Sequence, residues 1–226
     1  MLSWVFIFGV IGMFLQGIFI AVEHKAKWVL ADVLKGLASA MFVAIGYLAT
    51  LRIDGASPLV NKIFVGLIFG LAGDVLLNLR FVFEKIGQKI FLVGILAFLI
   101  GHILYLAALI PFAENLVLCI IIGAVLAGAL LFYIFKTMEV KIAFKIFGVV
   151  YLGAVIIMTV IAIGIAIAVP SAHNIMYAIG AVLFTASDIV LIFNTFSGVT
   201  KFSLRITNLS LYYLGQLLIA GSLFLI

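Results

Sequence analysis

The sequence predicts an all-α membrane protein with eight transmembrane helices, and three observations carry that expectation. Of its 226 residues 68% are hydrophobic and 9% charged, where a soluble domain carries about 25% charged residues. The mean hydropathy is +1.48. The apolar residues fall into runs near the roughly 20 residues that a helix needs to cross a bilayer. The basic residues gather between alternate runs.

Charge clusters and prolines divide the chain into spans at 2–22, 28–50, 61–80, 90–110, 116–135, 143–168, 174–196 and 204–226. The first, LSWVFIFGVIGMFLQGIFIAV, has neither a basic leading region nor a small-residue cleavage pattern, so it reads as a retained span. The second follows Lys25 and Lys27 and carries Lys35 within it. The third lies between Pro58 and Arg80 and holds Asp74 and Asn78. The fourth begins after Lys89, ends at Pro111 and holds His102. The fifth contains the single Cys119, which excludes an internal disulfide and a cysteine metal cluster. The sixth runs from the basic cluster at Lys136, Lys141 and Lys145 to Pro170. The seventh holds Asp188 and Asn194, and the eighth, after Lys201 and Arg205, holds Gln216. Pro58, Pro111 and Pro170 all fall in connections, where a helix stop is expected. The connections are short, so residues 1–226 read as one transmembrane domain.

A net charge of +5 could point to nucleic acid, but in a membrane chain the position of the charges decides. The odd connections hold Lys25, Lys27, Arg80, Lys85, Lys89, Lys136, Lys141, Lys145, Lys201 and Arg205. The even ones hold Arg52 and Lys62. By the positive-inside rule the odd connections are cytoplasmic and both termini lie outside. Integral insertion, in the cell (inner) membrane if the source is prokaryotic, is the expected location.

The third and seventh spans share a pattern, GLIFGLAGDVLL from Gly66 and GAVLFTASDIVL from Gly180. Asp74 and Asp188 are 114 residues apart, and the same offset carries His102 onto Gln216. This predicts two four-span halves, 1–112 and 113–226, as parallel repeats about an axis along the membrane normal. Asp74 and Asp188 would then meet near that axis. Along a helix Asp74 lies about 9 Å from Arg80, Lys35 about 12 Å from Lys27 and Asp188 about 13 Å from Ser197. All three share one depth, toward the cytoplasmic side. Gly66, Gly70, Gly73, Asp74 and Asn78 lie on one helix face, a small-residue stripe that admits a close neighbour. Gly94, Phe98, Gly101, His102 and Tyr105 do the same in the fourth span.

A carboxylate facing hydrocarbon costs about 2.5–3.5 kcal/mol on insertion scales, so a buried one marks a functional site or a helix tie. Lys35 has two candidate partners, Asp32 one turn away and the buried aspartates. Two carboxyls close together in low dielectric cannot both ionise easily, which makes one an acid and the other a base. Such a pair suits acid-catalysed cleavage of a glycoside, acetal or enol ether. It suits proton coupling in a transporter equally well. His102, Gln216 and Asn78 also have the simpler reading of helix–helix hydrogen bonding. His24 and His173 fall in connections and receive no role. No phosphate loop, nucleophile elbow or HExxH pattern occurs.

The ordered set GLIFGLAGDVLLNL, FLVGILAFLIGHILYLAAL, GAVLFTASDIVLIFNTF and YYLGQLLIAGS resembles the YhhN-like membrane proteins, which include the lysoplasmalogenases. Where that family tends to show Lys-Pro in the second span, this chain has Lys35-Gly36. Tyr151 and Met158 also fit family positions. The resemblance implies hydrolysis of the vinyl ether of a lysophospholipid taken from the bilayer, giving a fatty aldehyde and a glycerophospho-base. It implies no metal or other cofactor, and membrane lipids rather than nucleic acid as partners. Asp74 and Asp188 would be the catalytic carboxyls, at a site opening toward the cytoplasm. Lys35, Asn78, His102, Tyr105, Tyr151, Tyr213 and Gln216 would surround them. The alternative is a proton-coupled small-molecule or lipid transporter using the same two aspartates.

Overall fold

The computed structural model describes residues 2–52, 57–139, 142–198 and 200–226, and Lys141 lies outside them. The described residues form eight long α-helices, with no strand among them: α1 Leu2–His24, α2 Trp28–Arg52, α3 Pro58–Leu79, α4 Gly87–Leu109, α5 Leu116–Thr137, α6 Ile142–Ala168, α7 Ala172–Phe196 and α8 Phe202–Ser222. All eight are long and apolar enough to cross a bilayer. The protein is a multi-pass integral membrane protein. Pro58 belongs to a helix rather than a connection, because it opens α3, where the missing N–H is no loss. His24 closes α1 and His173 sits in the first turn of α7, so neither is a connection residue. The eighth helix ends at Ser222, and Leu223–Leu225 tightens into a 3₁₀ turn.

The helices group into two compact units. The first comprises Met1–Ala108 with Leu223–Ile226, and the second Leu109–Ser222. Within the first, α1 packs on α2, α2 on α3, and α3 on α4. The C-terminal turn joins it through Arg52, whose guanidinium donates to the Phe224 carbonyl and lies 5.8 Å from its ring. Lys62 Nζ donates to the Ala107 carbonyl at 2.9 Å, in the last turn of α4. Arg52 and Lys62, read from the sequence as connection residues, thus lie at the end of α2 and in the second turn of α3, and each serves a carbonyl near a helix end, where cations are favoured. Within the second unit α5 packs on α6, α6 on α7 and α7 on α8. His173 Nδ1 donates to the Ser222 carbonyl at 2.9 Å, tying the start of α7 to the end of α8.

Glycine sets how closely two pairs of helices approach. A Cβ on Gly101 of α4 would stand 3.0 Å from the Gly66 carbonyl oxygen of α3, and the Tyr105 ring fills the space beside Gly66. A Cβ on Gly215 of α8 would stand 2.8 Å from the Gly180 carbonyl oxygen of α7, and Ile219 lies beside Gly180. Gly66, Gly101 and Tyr105 each precede Gly180, Gly215 and Ile219 by 114 residues. Such crossings let backbones meet where apolar tails give no hydrophobic drive for association.

The most polar of the spans is also the most buried. The α1 span has hydropathy 2.5 and is 22% buried, whereas the α8 span has 1.3 and is 72% buried. Polar side chains are costly in lipid, so the most polar helix is the most enclosed.

The turn after α1 contains a strained residue. Lys27 N–H bonds the Val22 carbonyl and Ala26 N–H the Glu23 carbonyl, a Schellman closure. It places Ala26 at φ 54°, in the left-handed region where glycine is the usual occupant. Ala26→Gly should therefore raise stability, by about 1 kcal/mol. Gly180→Ala should lower it by about 1–3 kcal/mol through overpacking. Gly128→Ala, where nothing lies within 4 Å of the added carbon, should not. Unfolding of the purified protein in detergent would rank the three, and equal stability of the two alanine variants would contradict the glycine crossing.

Candidate functional site

Asp74 is placed by the third helix of the first unit. Gly66, Gly70, Gly73, Asp74 and Asn78 are all buried along α3, as one face requires. Gly73 leaves room for the Phe98 ring of α4, which a Cβ would meet at 2.6 Å. On the α2 side, Lys35 Nζ lies 3.1 Å from Asp74 Oδ1, with both side chains 3% exposed. Ser39 Oγ, one turn further along α2, donates to Asp74 Oδ2 at 2.6 Å. Both carboxylate oxygens are thus engaged by one face of α2. The Lys35 ammonium also stands 5.8 Å from the Phe19 ring centre, which brings α1 into the same cluster. Lys35 pairs with Asp74 rather than with Asp32.

One turn beyond, Asn78 bridges the helix ends. With its amide turned to suit its neighbours, its nitrogen donates to Glu23 Oε1 at 3.0 Å and its oxygen accepts from Asp32 N–H at 3.2 Å. His102 Nδ1 donates to its own helix, at the Phe98 carbonyl 2.8 Å away. Its ring meets Tyr105 edge-on at 5.6 Å, and Tyr105 is fully buried over Gly66.

Asp188 occupies the corresponding helix of the second unit. It is 5% exposed, and its Oδ2 accepts from Tyr151 Oη of α6 at 2.7 Å. Among the described residues Asp188 has no ion pair, and no hydrogen bond reaches its Oδ1. Two turns further along α6, Thr159 Oγ1 lies 2.7 Å from Thr185 Oγ1 and 3.2 Å from the Ala181 carbonyl. On the α8 side, Asn208 Nδ2 donates to the Ser187 carbonyl at 2.9 Å and to its hydroxyl at 3.0 Å. Tyr213 and Gln216 are buried in α8. Tyr213 meets Tyr212 edge-on at 5.0 Å, and Tyr212 meets Phe184 of α7 at 5.4 Å. Asn194 has a different task, since its Oδ1 accepts from Lys201 N–H at 2.7 Å and closes the α7–α8 turn.

Of the partners the sequence left open to Lys35, Asp74 is the one in direct contact, and the Tyr151–Asp188 hydrogen bond is a pairing the sequence did not announce. Ser39, Thr159, Ser187 and Asn208 were not anticipated. Ser39 had a readable signal, lying four residues after Lys35 and hence on its face. Asn208 was legible as an amide four residues inside a span. The hydroxyls of Thr159, Thr185 and Ser187 carry no such mark, because Ser and Thr bond their own helices as readily. Among the described residues no three His, Cys, Asp or Glu side chains gather as metal ligands would.

A carboxyl side chain at each Asp position, buried on the third helix of a unit and bonded to the second, defines a membrane protein with polar sites inside its helix clusters. The chain belongs to the YhhN family, whose model matches residues 27–223. No curated protein and no solved structure matches it.

Removing Lys35 should expose the electrostatic cost of Asp74. Lys35→Met leaves a buried carboxylate without its cation and should cost about 3–5 kcal/mol. Lys35→Met combined with Asp74→Asn should recover much of that loss. Unfolding free energies of the four proteins in one detergent form the test, and simple additivity would refute the pairing.

Proposed function

We propose that this protein is a lysoplasmalogenase-type hydrolase that cleaves the vinyl ether of 1-alkenyl lysophospholipids to a fatty aldehyde and a glycerophospho-base. The observation that carries the reading is the pair of enclosed carboxyls, Asp74 and Asp188, each bonded within its own unit, in a chain of the YhhN family. Vinyl ether cleavage needs a proton on the carbon remote from the ether oxygen, then a negative group to steady the oxocarbenium ion, then water. One carboxyl supplies the first and the other the second. Lys35, Asn78, His102, Tyr105, Tyr151, Tyr213 and Gln216 position these groups, the water or the glycerol end. The reaction as proposed draws on no metal or other cofactor.

The substrate enters from the bilayer, and membrane lipids are its surroundings. The basic odd connections support a cytoplasmic face for that end of each helix, with both termini outside and the site opening inward. The cell membrane is the proposed location if the source is prokaryotic. Recurrence of the glycine crossing and of the aspartate at an offset of 114 residues supports two parallel four-helix repeats.

Purified protein given a 1-alkenyl lysophospholipid should release fatty aldehyde. Asp74→Asn and Asp188→Asn should each lower turnover at least about a hundredfold, the scale of a lost acid or base. Full activity in either variant would sink the scheme. Liposome uptake driven by a pH gradient, with no aldehyde formed, would establish the transporter instead. For orientation, a cysteine at Lys201 in a Cys119→Ala background should react only from the cytoplasmic side, and one at Glu114 only from outside.

A further inference from the structure

The carboxyl of Asp188 is held from one helix, and the peptide bond that carries it is held from another. From α6, Tyr151 Oη donates to Oδ2 at 2.7 Å. From α8, Asn208 Nδ2 donates to the Ser187 carbonyl at 2.9 Å and to the Ser187 hydroxyl at 3.0 Å. The Ser187 carbonyl belongs to the same peptide unit as the Asp188 N–H. This grip therefore falls on the rigid plane from which the Asp188 Cα and its side chain project. A helical carbonyl uses one lone pair within its helix and keeps a second for such a donor. Ser187, Asp188 and Asn208 are all buried, and all belong to the second unit.

An amide taken into a membrane span is costly unless it is bonded. Pairing of α7 with α8 does not require one, because Gly180 and Gly215 already bring those helices together through their backbones. The residues 114 earlier than Ser187 and Asn208 are Gly73 and Gly94, which have no side chain to make such a contact. There Leu76 and Leu77 of α3 pack against Gly94 of α4 instead. The grip thus goes with Asp188 rather than with the helix pairing. Thr185, one turn before Asp188, meets Thr159 of α6 at 2.7 Å and braces the same stretch of α7. Among the described residues the one Asp188 oxygen left without a bond is Oδ1.

We propose that Asn208 is a positioning residue for Asp188: by gripping the Ser187–Asp188 peptide from α8 while Tyr151 fixes Oδ2 from α6, it aims Oδ1 at the vinyl ether of the substrate. The inference rests on the hydrolase reading above. It holds whether Asp188 gives the proton or steadies the cation, since either part needs a carboxyl oxygen held within about 0.5 Å of its productive place.

Turnover is the first test. Asn208→Leu, which fills the space, and Asn208→Ala, which leaves it, both remove the two bonds. Each should lower kcat for aldehyde release about tenfold, the scale of one lost hydrogen bond, with KM within about twofold of wild type. Ser187→Ala keeps the carbonyl contact and should stay within about threefold of the wild-type kcat.

Positioning is read separately, in the infrared carboxyl stretch of the protein in lipid bilayers. The Asp188 band is the one that disappears in Asp188→Asn and changes frequency in Tyr151→Phe, so either variant identifies it if the other fails to fold. In wild type it should be narrow, as a side chain in one setting gives. In the Asn208 variants it should broaden. A merely structural contact would lower the unfolding midpoint and leave the folded variants otherwise alike, so an unchanged kcat or an unchanged band in folded protein would overturn the proposal. So would a Ser187→Ala variant as slow as Asn208→Leu, because the hydroxyl and not the peptide would then carry the effect. Should neither Asn208 variant fold, the amide serves assembly and the proposal falls. If wild type releases no aldehyde, the hydrolase reading falls instead, while the band still decides whether Asn208 positions Asp188.

Discussion

The contact on which the first unit depends is the ion pair between Lys35 and Asp74. In a bilayer neither group can be left to solvent, so each must find its counter-charge inside the protein. That requirement fixes the rotation of α2 against α3, because Lys35 and Ser39 must both face Asp74. It also fixes what stands behind α3. With one side of the helix given to polar contacts, the Gly66 and Gly73 positions can admit the Tyr105 and Phe98 rings of α4. Enclosure by those rings keeps water from screening the pair, which strengthens the attraction and raises the cost of breaking it.

The second unit solves the same problem with less charge. Asp188 sits on its third helix, bonded to a phenol of the second, while threonine hydroxyls link α6 and α7 further along. Where the first unit sets a cation from α2 against its aspartate, the second sets the Tyr151 phenol from α6 against its own. The two sites share a place on the third helix of a unit and a glycine crossing to the fourth, and they differ in the partner from the second helix, Lys35 against Tyr151.

Much of this was legible in the sequence because lipid imposes simple rules. All eight spans were readable, their ends within a few residues, since backbone groups in hydrocarbon leave the helix as the choice for apolar runs of this length. The exceptions have physical causes. A proline at the first helical position looks like a stop but is a start, so Pro58 moved into α3. His173 reads as a loop residue until its bond to the Ser222 carbonyl is seen. Of the site, the aspartates stood out because carboxylates are rare in spans. Lys35 left two partners open, since Asp32 is nearer along the chain than Asp74. The Thr159–Thr185 contact was illegible because a hydroxyl in a helix more often bonds its own backbone than a neighbour, whereas Ser39 was marked only by its spacing from Lys35. Ala26 was illegible for another reason, as alanine gives no warning of a left-handed turn.

The Arg52–Phe224 contact has a consequence for assembly in time. Residues 223–226 belong to the unit that opens the chain, yet they are made after all eight helices. During synthesis the guanidinium at the end of α2 must therefore wait, served by water or headgroups, until those residues emerge. The early unit can gather its helices first, but it acquires its last carbonyl partner for Arg52 only when α8 is in place. Biogenesis of the first unit is thus coupled to insertion of the last helix.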